Sequence, residues 1–456
     1  MNENIFRAND IRGIAEKDFT DDVVQNLGKA FGSYMRRRSH RLLVIGHDLR
    51  LSSPHLAQVY MKGVLSTGMN VIFVGQVTTP ALYFAILHYG VDGGVMITGS
   101  HNPKPYNGFK MCEGLDSVYG EEIIRLKKMI LGGDFEQGSG VLEQRDIMPD
   151  YLAMLKSKFT FANKLKIVID AGNATAGPIA PALWRSFGHE VIELYCEPDG
   201  NFPNHLPDPC VPRYMEDLAA RVAAEGADIG LGYDGDSDRV GAVDDRGRYI
   251  FADRLLVLFA QDVLKKRPGA TIIFDVKCTL ALPEAIERAG GVPLMWKTGH
   301  SMQKAKMKET GAPFAGELSG HIFFKDDFFG FDDGIYASGR LLQIVAGSNL
   351  KFSEMMDEIP VYPSTEEILL DCADEVKFDV VAGLVRDFGV NYQVFDVDGA
   401  RVDFGDGWGL VRASNTEPNL VVRFEAKTEE RLRELVEIFK DHFDRYPQIR
   451  YSREQF

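Results

Sequence analysis

One serine and three aspartates, far apart in the chain, are the residue types that phosphoryl chemistry needs. Ser100 stands in Thr98-Gly99-Ser100-His101-Asn102-Pro103, directly after the apolar run Val95-Met96-Ile97. The second cluster is Asp234-Gly235-Asp236-Ser237-Asp238-Arg239, with a carboxylate at alternate positions. A hard divalent cation takes oxygen ligands, and Mg²⁺ typically combines a few carboxylates with a phosphate oxygen. On a tight loop these three carboxylates converge on one ion; the competing reading is a solvated acidic turn. Two carboxylates about 4 Å apart repel by about 4 kcal/mol at an effective dielectric near 20, so three on one loop are easier to explain with a cation among them. An EF-hand is excluded, because it wants Gly and Glu where this chain has Arg239 and Asp245.

Ser100 after a glycine also reads as a plain turn residue. His101 beside it does not signal a Ser–His hydrolase, since adjacent residues rarely place a base correctly and Gly-x-Ser-x-Gly is absent here. A phosphorylated Ser100 would carry about −1.5 to −2 charge and three acceptor oxygens, and would need cations or a metal around it. Arg12, in Asp10-Ile11-Arg12-Gly13, and Lys110, in Gly108-Phe109-Lys110, are candidates. Gly316-Glu317-Leu318-Ser319-Gly320-His321 brackets three polar residues with glycines. Alternate side chains of an extended loop face one way, so Glu317, Ser319 and His321 suit sugar hydroxyls, or else form a polar turn. Arg412-Ala413-Ser414-Asn415-Thr416-Glu417-Pro418, with Arg423 on the next strand, is a donor-rich loop. It suits a phosphate dianion, with Arg in bidentate contact, or is an Asn/Thr-rich turn before Pro.

The elements that must position these loops follow a repeated pattern. Leu42–Asp48, Lys166–Gly172 and Thr271–Val276 are each an apolar strand-like run followed by a polar loop with Asp. Short buried strands alternating with helices imply α/β units, and three copies at domain spacing predict three related α/β domains. Glycine-rich breaks at Gly132-Gly133-Asp134 and Gly138-Ser139-Gly140 precede a helix-like segment from about Pro149. Asp244–Gly247 reads as a turn between Val240–Val243 and Tyr249–Phe251, and Pro360, Pro363 and Ser364 mark a further break. Beyond it, Tyr392–Val397, Ala400–Phe404 and Leu420–Glu425 read as strands. A helix over Thr428–His442 has Leu432, Leu435, Ile438 and Phe439 on one face. This last domain reads as α+β.

With 456 residues the chain should hold several domains, roughly three or four at about 100–200 residues each. Its net charge of −15 argues against nucleic acid or an anionic membrane as a partner. The basic run Arg36–Arg41 reads as a solvated helix end. No apolar stretch approaches the roughly 18 residues that span a bilayer, and the start does not read as a signal peptide. The five cysteines form no Cys-x-x-Cys pair, which fits reduced thiols in the cytoplasm.

These residues and their order resemble the α-D-phosphohexomutases over essentially the whole chain. Thr98–Pro103 is similar to the family's phosphoserine loop, Asp234–Arg239 to its Mg²⁺ loop, Gly316–His321 to its sugar-specificity loop and Arg412–Thr416 to its phosphate-binding loop. Trp296–His300 and Asp275–Thr279 resemble the family as well. The resemblance implies three related α/β domains with mixed sheets and a C-terminal α+β domain around a central cleft. The expected domains are 1–146, 147–247, 248–360 and 361–456.

By carry-over, Ser100 holds the phosphate, and Asp234, Asp236 and Asp238 bind Mg²⁺ together with a phosphate oxygen on Ser100. Arg12, His101, Asn102, Lys110 and Arg239 surround the transferring group. Glu317 and Ser319 hold sugar hydroxyls, while Lys277, His300 and His321 line the same cleft. Arg412, Ser414, Asn415, Thr416 and Arg423 grip the other phosphate. The chain departs from the usual pattern at Gly99 (Ala), Ser237 (Gly), Leu318 (Met) and Asn9 (Tyr). The first three should leave the chemistry alone; Asn9 bears on substrate affinity.

The implied activity is reversible transfer of a phosphoryl group between C1 and C6 of mannose or glucose phosphates, with Mg²⁺ and a hexose 1,6-bisphosphate as activator and intermediate. The general base is one of Lys110, Arg12 and His321. Phosphoglucosamine mutase is the nearest alternative, and Leu318, close to Met in size and shape, favours the mannose/glucose subgroup. A metal-dependent sugar-phosphate phosphatase follows, and a non-catalytic sugar-phosphate sensor ranks last. The expected partners are hexose phosphates, with neither nucleic acid nor membrane, and the expected assembly is a monomer or weak oligomer.

Overall fold

A computed structural model of the chain describes residues 1–7, 10–414 and 418–456. It forms two compact units, one of Met1–Leu255 with Ser319–Met356 and one of Leu256–Leu318 with Asp357–Phe456.

The first unit contains two mixed sheets built on the same plan. In the first, Leu42–His47 lies between Asn70–Gln76 and Gly93–Ile97, all parallel. Leu43, Val44 and Ile45 are fully buried, as expected of a parallel strand covered on both faces. Gly93–Ile97 then turns back through the Ser100 loop into the antiparallel strand Tyr106–Glu113. Ile11–Ile14 adds to the far side of that strand, opposing Arg12 to Gly108. Strand pairing thus brings Arg12 and Lys110 to the base of the loop that carries Ser100.

The second sheet repeats the device. Ile229–Tyr233 runs parallel to Lys166–Asp170 and then turns through the aspartate loop into antiparallel Val240–Asp244. Both chemistry-bearing loops are therefore tips of hairpins that follow a buried parallel strand. Both contain a non-glycine residue in the left-handed region, Ser100 at φ 47° and Ser237 at φ 64°. Such residues are held there by their surroundings at a cost of about 1–3 kcal/mol each. The turn expected over Asp244–Gly247 joins Val240–Asp244 to antiparallel Tyr249–Ile250.

In the second unit, Thr271–Asp275 lies between parallel Val292–Trp296 and Phe314–Gly316, so Glu317 follows directly from a buried strand end. The C-terminal sheet is antiparallel throughout, in the order Ile368–Asp371, Asn419–Ala426, Gly407–Ala413, Ala400–Asp403, Gln393–Phe395. Helices Lys377–Gly389 and Glu429–Phe443 cover it, burying Leu384, Phe388, Leu435 and Phe439. Thr428 caps the second helix by accepting from Arg431 N.

The Arg36–Arg41 run ends a helix, Asp21–Arg37, where basic residues suit the dipole. Arg37 pairs with Asp134 and Glu136, and Arg38 with Glu113 and Glu122, while Arg36 and Arg41 donate to the carbonyls of Gly68 and His40. No helix of the described residues is long and apolar enough to cross a membrane.

Candidate active site

Ser100 and the aspartate loop meet. Ser100 Oγ donates to Asp234 Oδ2 at 2.8 Å across 134 residues of sequence, and the serine is 1% exposed. The two loops touch along their backbones as well: a Cβ added at Gly235 would lie 2.3 Å from the Ser100 carbonyl oxygen. Within its loop, Ser100 N donates to Thr98 Oγ1 at 2.8 Å, and Ser100 Oγ lies 3.2 Å from His101 Nδ1. Arg12 reaches over the loop, donating to the Asn102 side-chain oxygen while pairing with Asp10 at 2.6 Å. Burial, then Arg239, Arg12 and His321, hold the His101 imidazole well below its ordinary range, so it is neutral.

Asp234, Asp236 and Asp238 are all buried and offer oxygens within 4.8 Å of one another. Lys110 Nζ lies 2.7 Å from Asp236 Oδ2 and 2.5 Å from Asp238 Oδ2. Thr79 Oγ1 donates to the same Asp236 oxygen at 2.5 Å, and Thr79 N to the Asp236 carbonyl. Asp236 Oδ1 and Asp238 Oδ1 are buried without a hydrogen-bond partner among the described residues. Buried carboxylate oxygens left over in this way are what a divalent cation satisfies, so the donor set fits one. Burial, together with Asp238 and Asp236, pushes the Asp234 carboxyl well up. Asp236 is held below the usual carboxylate range, because the Lys110 ammonium outweighs its burial. Lys110 in turn stays above its ordinary value despite burial, held by Asp236 and Asp238.

Arg239 extends the cluster. Its N donates to Asp234 Oδ1 at 3.1 Å and its Nε to His321 Nε2 at 2.9 Å. His321 Nδ1 lies 2.8 Å from Asp332 Oδ2 and 3.6 Å from Asp238 Oδ1. The expected alternation along Gly316–His321 does not hold. Leu318 and Ser319 form a turn and Gly320 takes φ 81°, so the chain reverses where an extended loop was expected. The cause is local: two glycines and a serine favour a turn over continued strand. The Ser319 carbonyl accepts from Cys210 Sγ at 2.7 Å.

In the second unit, Lys277, Arg412 and Arg423 all act on the Glu367 carboxylate. Lys277 Nζ lies 3.0 Å from Glu367, Arg423 Nη1 donates to the Lys277 carbonyl at 2.9 Å, and Arg412 lies 3.3 Å from Asp398. Partial desolvation acts to raise the Glu367 carboxyl, whose side chain is 43% exposed, but Lys277, Arg423 and Arg412 hold it below its ordinary range. Glu317 Oε1 accepts from Gly299 N at 2.9 Å, beside buried His300 at the start of helix His300–Thr310. Ser414 is buried and its N donates to the Asn419 carbonyl. Asn9, Asn415 and Thr416 lie outside the described residues.

The structure adds residues that motif reading passed over. The three strand-end aspartates of the repeat all tie down loops. Asp48 accepts from Thr98 Oγ1 at 2.7 Å, Asp170 from Gly172 N at 2.8 Å, and Asp275 from Leu318 N at 3.2 Å and Thr298 Oγ1 at 3.1 Å. A buried strand ending in Asp was the available signal, since ligand sites in α/β sheets gather at carboxyl ends of strands. Thr79, Asp332 and Glu367 carried no such signal.

Four family models match the chain in order. They are the phosphoglucomutase/phosphomannomutase alpha/beta/alpha domain I (residues 3–125), domain II (149–247), domain III (251–362) and C-terminal domain (367–442). A phosphomannomutase/phosphoglucomutase of Pseudomonas aeruginosa is 47% identical, over 96% of this chain and 95% of that one. A phosphoglucomutase of Neisseria gonorrhoeae is 43% identical, over 98% of each chain. The crystal structure of a phosphoglucomutase/phosphomannomutase family protein from Burkholderia thailandensis superposes with a TM-score of 0.92 at 41% identity, covering 99% of this chain and all of that one.

Proposed function

Since this chain belongs to the phosphoglucomutase/phosphomannomutase family of α-D-phosphohexomutases, we propose that it moves a phosphoryl group reversibly between C1 and C6 of mannose or glucose phosphates. The observation that carries this reading is the 2.8 Å contact of Ser100 Oγ with Asp234 inside a buried carboxylate cluster. A serine there can lend and reclaim a phosphoryl group only if positive charge surrounds it, and Arg12, Lys110 and Arg239 supply that charge.

Ser100, when phosphorylated, gives its phosphoryl group to the free hydroxyl of a hexose 1- or 6-phosphate. The P–O bond to Ser100 breaks as the bond to the sugar oxygen forms, leaving a hexose 1,6-bisphosphate. The bisphosphate reorients, and Ser100 takes the phosphoryl group from the other end. Asp234, Asp236 and Asp238 would hold Mg²⁺, which when bound supplies further positive charge beside the transferring oxygens. Lys110, Arg12 and His321 are the candidates for the general base that takes up the hydroxyl proton. His321 would first have to release Nε2 from Arg239 Nε, since its Nδ1 faces Asp332.

Lys277, Arg412, Ser414, Asn415, Thr416 and Arg423 would grip the phosphate that does not react, and His300, Glu317 and Ser319 the sugar. Glu317 and Ser319 would hold O3 and O4, which keep their places when the sugar reverses; leaving C2 unread in this way supports use of both epimers there. None of the five cysteines forms a disulfide, which supports a reducing, cytoplasmic setting.

The test is product analysis with mannose 1-phosphate, glucose 1-phosphate and glucosamine 1-phosphate, each primed with a trace of the matching 1,6-bisphosphate. The reading expects 6-phosphates from the first two and nearly complete loss of turnover in a folded Ser100→Ala variant. Inorganic phosphate as the main product, or conversion of glucosamine 1-phosphate alone, would overturn it.

A further inference from the structure

Arg50 is a large cation with 1% exposure, and its hydrogen-bonding ends face one loop. Nη1 donates to the carbonyls of Pro103 and Tyr106 at 3.0 Å each. Nη2 donates to the carbonyls of Ser100 at 2.7 Å and Asn102 at 2.5 Å. Nε lies 3.3 Å from Asp48 Oδ2, and the guanidinium sits over the Phe202 ring at 5.2 Å. Asp48 completes the grip from the other side, accepting from Thr98 Oγ1 at 2.7 Å and Gly99 N at 3.3 Å. It is oriented in turn by Ser53 Oγ at 2.5 Å and Arg50 N at 2.9 Å.

We propose that Asp48 and Arg50 are positioning residues for phosphoryl transfer: a buried clamp on the backbone of residues 98–106 that sets where Ser100 Oγ stands. The inference rests on the phosphoserine reading above. Neither side chain touches Oγ. Both act on the peptide groups that carry it, in a loop whose serine is held at φ 47°.

Three features mark this as positioning and not general support. Three of the four carbonyls belong to the Ser100 loop and the fourth, of Tyr106, opens the strand it enters, so the guanidinium fixes the loop's shape at four points. The Ser100 carbonyl is also pressed by the aspartate loop at Gly235, so the clamp sets the spacing between nucleophile and carboxylates. Gly99 leaves room for the guanidinium: a Cβ there would lie 2.6 Å from Arg50 Cζ and 2.8 Å from the Tyr106 carbonyl oxygen. Misplacing a reacting atom by about 1 Å costs about a hundredfold in rate, so a clamp of this kind acts on turnover. Lysine keeps the charge but offers one nitrogen in place of a planar fork, and cannot reach four carbonyls at once.

The experiment compares the full-length wild type with Arg50→Lys. Steady-state kinetics, the rate of Ser100 phosphorylation from glucose 1,6-bisphosphate and backbone amide exchange are all measured. The expected result is a fall in kcat of about tenfold to a hundredfold, with KM within about threefold. Ser100 phosphorylation should slow by the same factor, and exchange should quicken at residues 99–106 alone. Unchanged kcat and phosphorylation would overturn the clamp. So would faster exchange throughout the first unit with a lowered melting temperature, which marks ordinary fold support. A wild type that never takes a phosphoryl group on Ser100 would instead overturn the proposed function, and this inference with it.

Discussion

Replacing Gly235 with alanine probes the junction on which the chemistry depends. The added Cβ would lie 2.3 Å from the Ser100 carbonyl oxygen and 3.1 Å from its carbonyl carbon, where real Cβ atoms keep at least 3.0 Å. One loop must yield by at least about 0.7 Å, and the Ser100 side is pinned by Arg50 Nη2 at 2.7 Å. The aspartate loop therefore moves away from the serine. At about a hundredfold per ångström of misplacement, kcat should fall by about thirtyfold to a hundredfold, or roughly 2–2.7 kcal/mol in the barrier. Overpacking should also lower stability by about 1–3 kcal/mol. KM for glucose 1-phosphate should change little, because its non-reacting phosphate is assigned to Arg412 and Arg423. The assay is coupled mutase kinetics with a Mg²⁺ titration. Gly132→Ala serves as the control, since a Cβ there meets nothing within 4 Å. A Gly235→Ala enzyme with kcat within about threefold of wild type would refute the claim that this contact sets the reacting geometry.

Lys110→Met should leave Asp236 and Asp238 without their ammonium, lowering the melting temperature in chelator and regaining most of the loss with Mg²⁺; melts that ignore Mg²⁺ would contradict the assignment of the carboxylates. Arg412→Ala should raise KM by about tenfold to a hundredfold with kcat nearly kept, as measured by initial rates; the reverse pattern would place Arg412 in the chemical step. His205 Nε2 lies 3.0 Å from Asp170 Oδ2, and although burial opposes its charge, Asp170 raises its pKa above the ordinary value. Its stabilisation is thus fully present below about pH 6.5 and fades as pH rises through the raised folded-state value. The melting-temperature gap between wild type and His205→Gln should accordingly shrink from pH 6 to pH 9; a gap that widened would invert the sign.

The chemistry was legible where the side chains that perform it are neighbours in sequence. The Ser100 and Asp234–Asp238 loops each announce themselves within six residues, and the apolar runs before them mark the buried strands that present them. What sequence spacing cannot express is which loop meets which. The Lys110 pairing with Asp236 and Asp238 spans more than a hundred residues and follows from strand pairing in one sheet and a hairpin in another. Arg50 reads as an ordinary polar residue after a strand until the fold turns four carbonyls toward it. The Gly316–His321 loop misled for a local reason, since alternation presumes an extended chain and Leu318–Ser319 turn instead. In the last domain, Gly407–Ala413 escaped notice because Gly407 and Gly409 weaken a strand pattern; there a Cβ would collide with Leu435 and Phe439 of the covering helix.

The most direct measurement follows one phosphoryl group. The protein is incubated with glucose 1,6-bisphosphate carrying isotopic phosphorus, and the label is mapped by peptide mass spectrometry. It is then chased with unlabelled glucose 1-phosphate. The account predicts label on Ser100 alone, leaving into the sugar phosphate pool, with none acquired by Ser100→Ala. An unlabelled Ser100 in an enzyme that still interconverts the two sugar phosphates, or label departing only as inorganic phosphate, would contradict it.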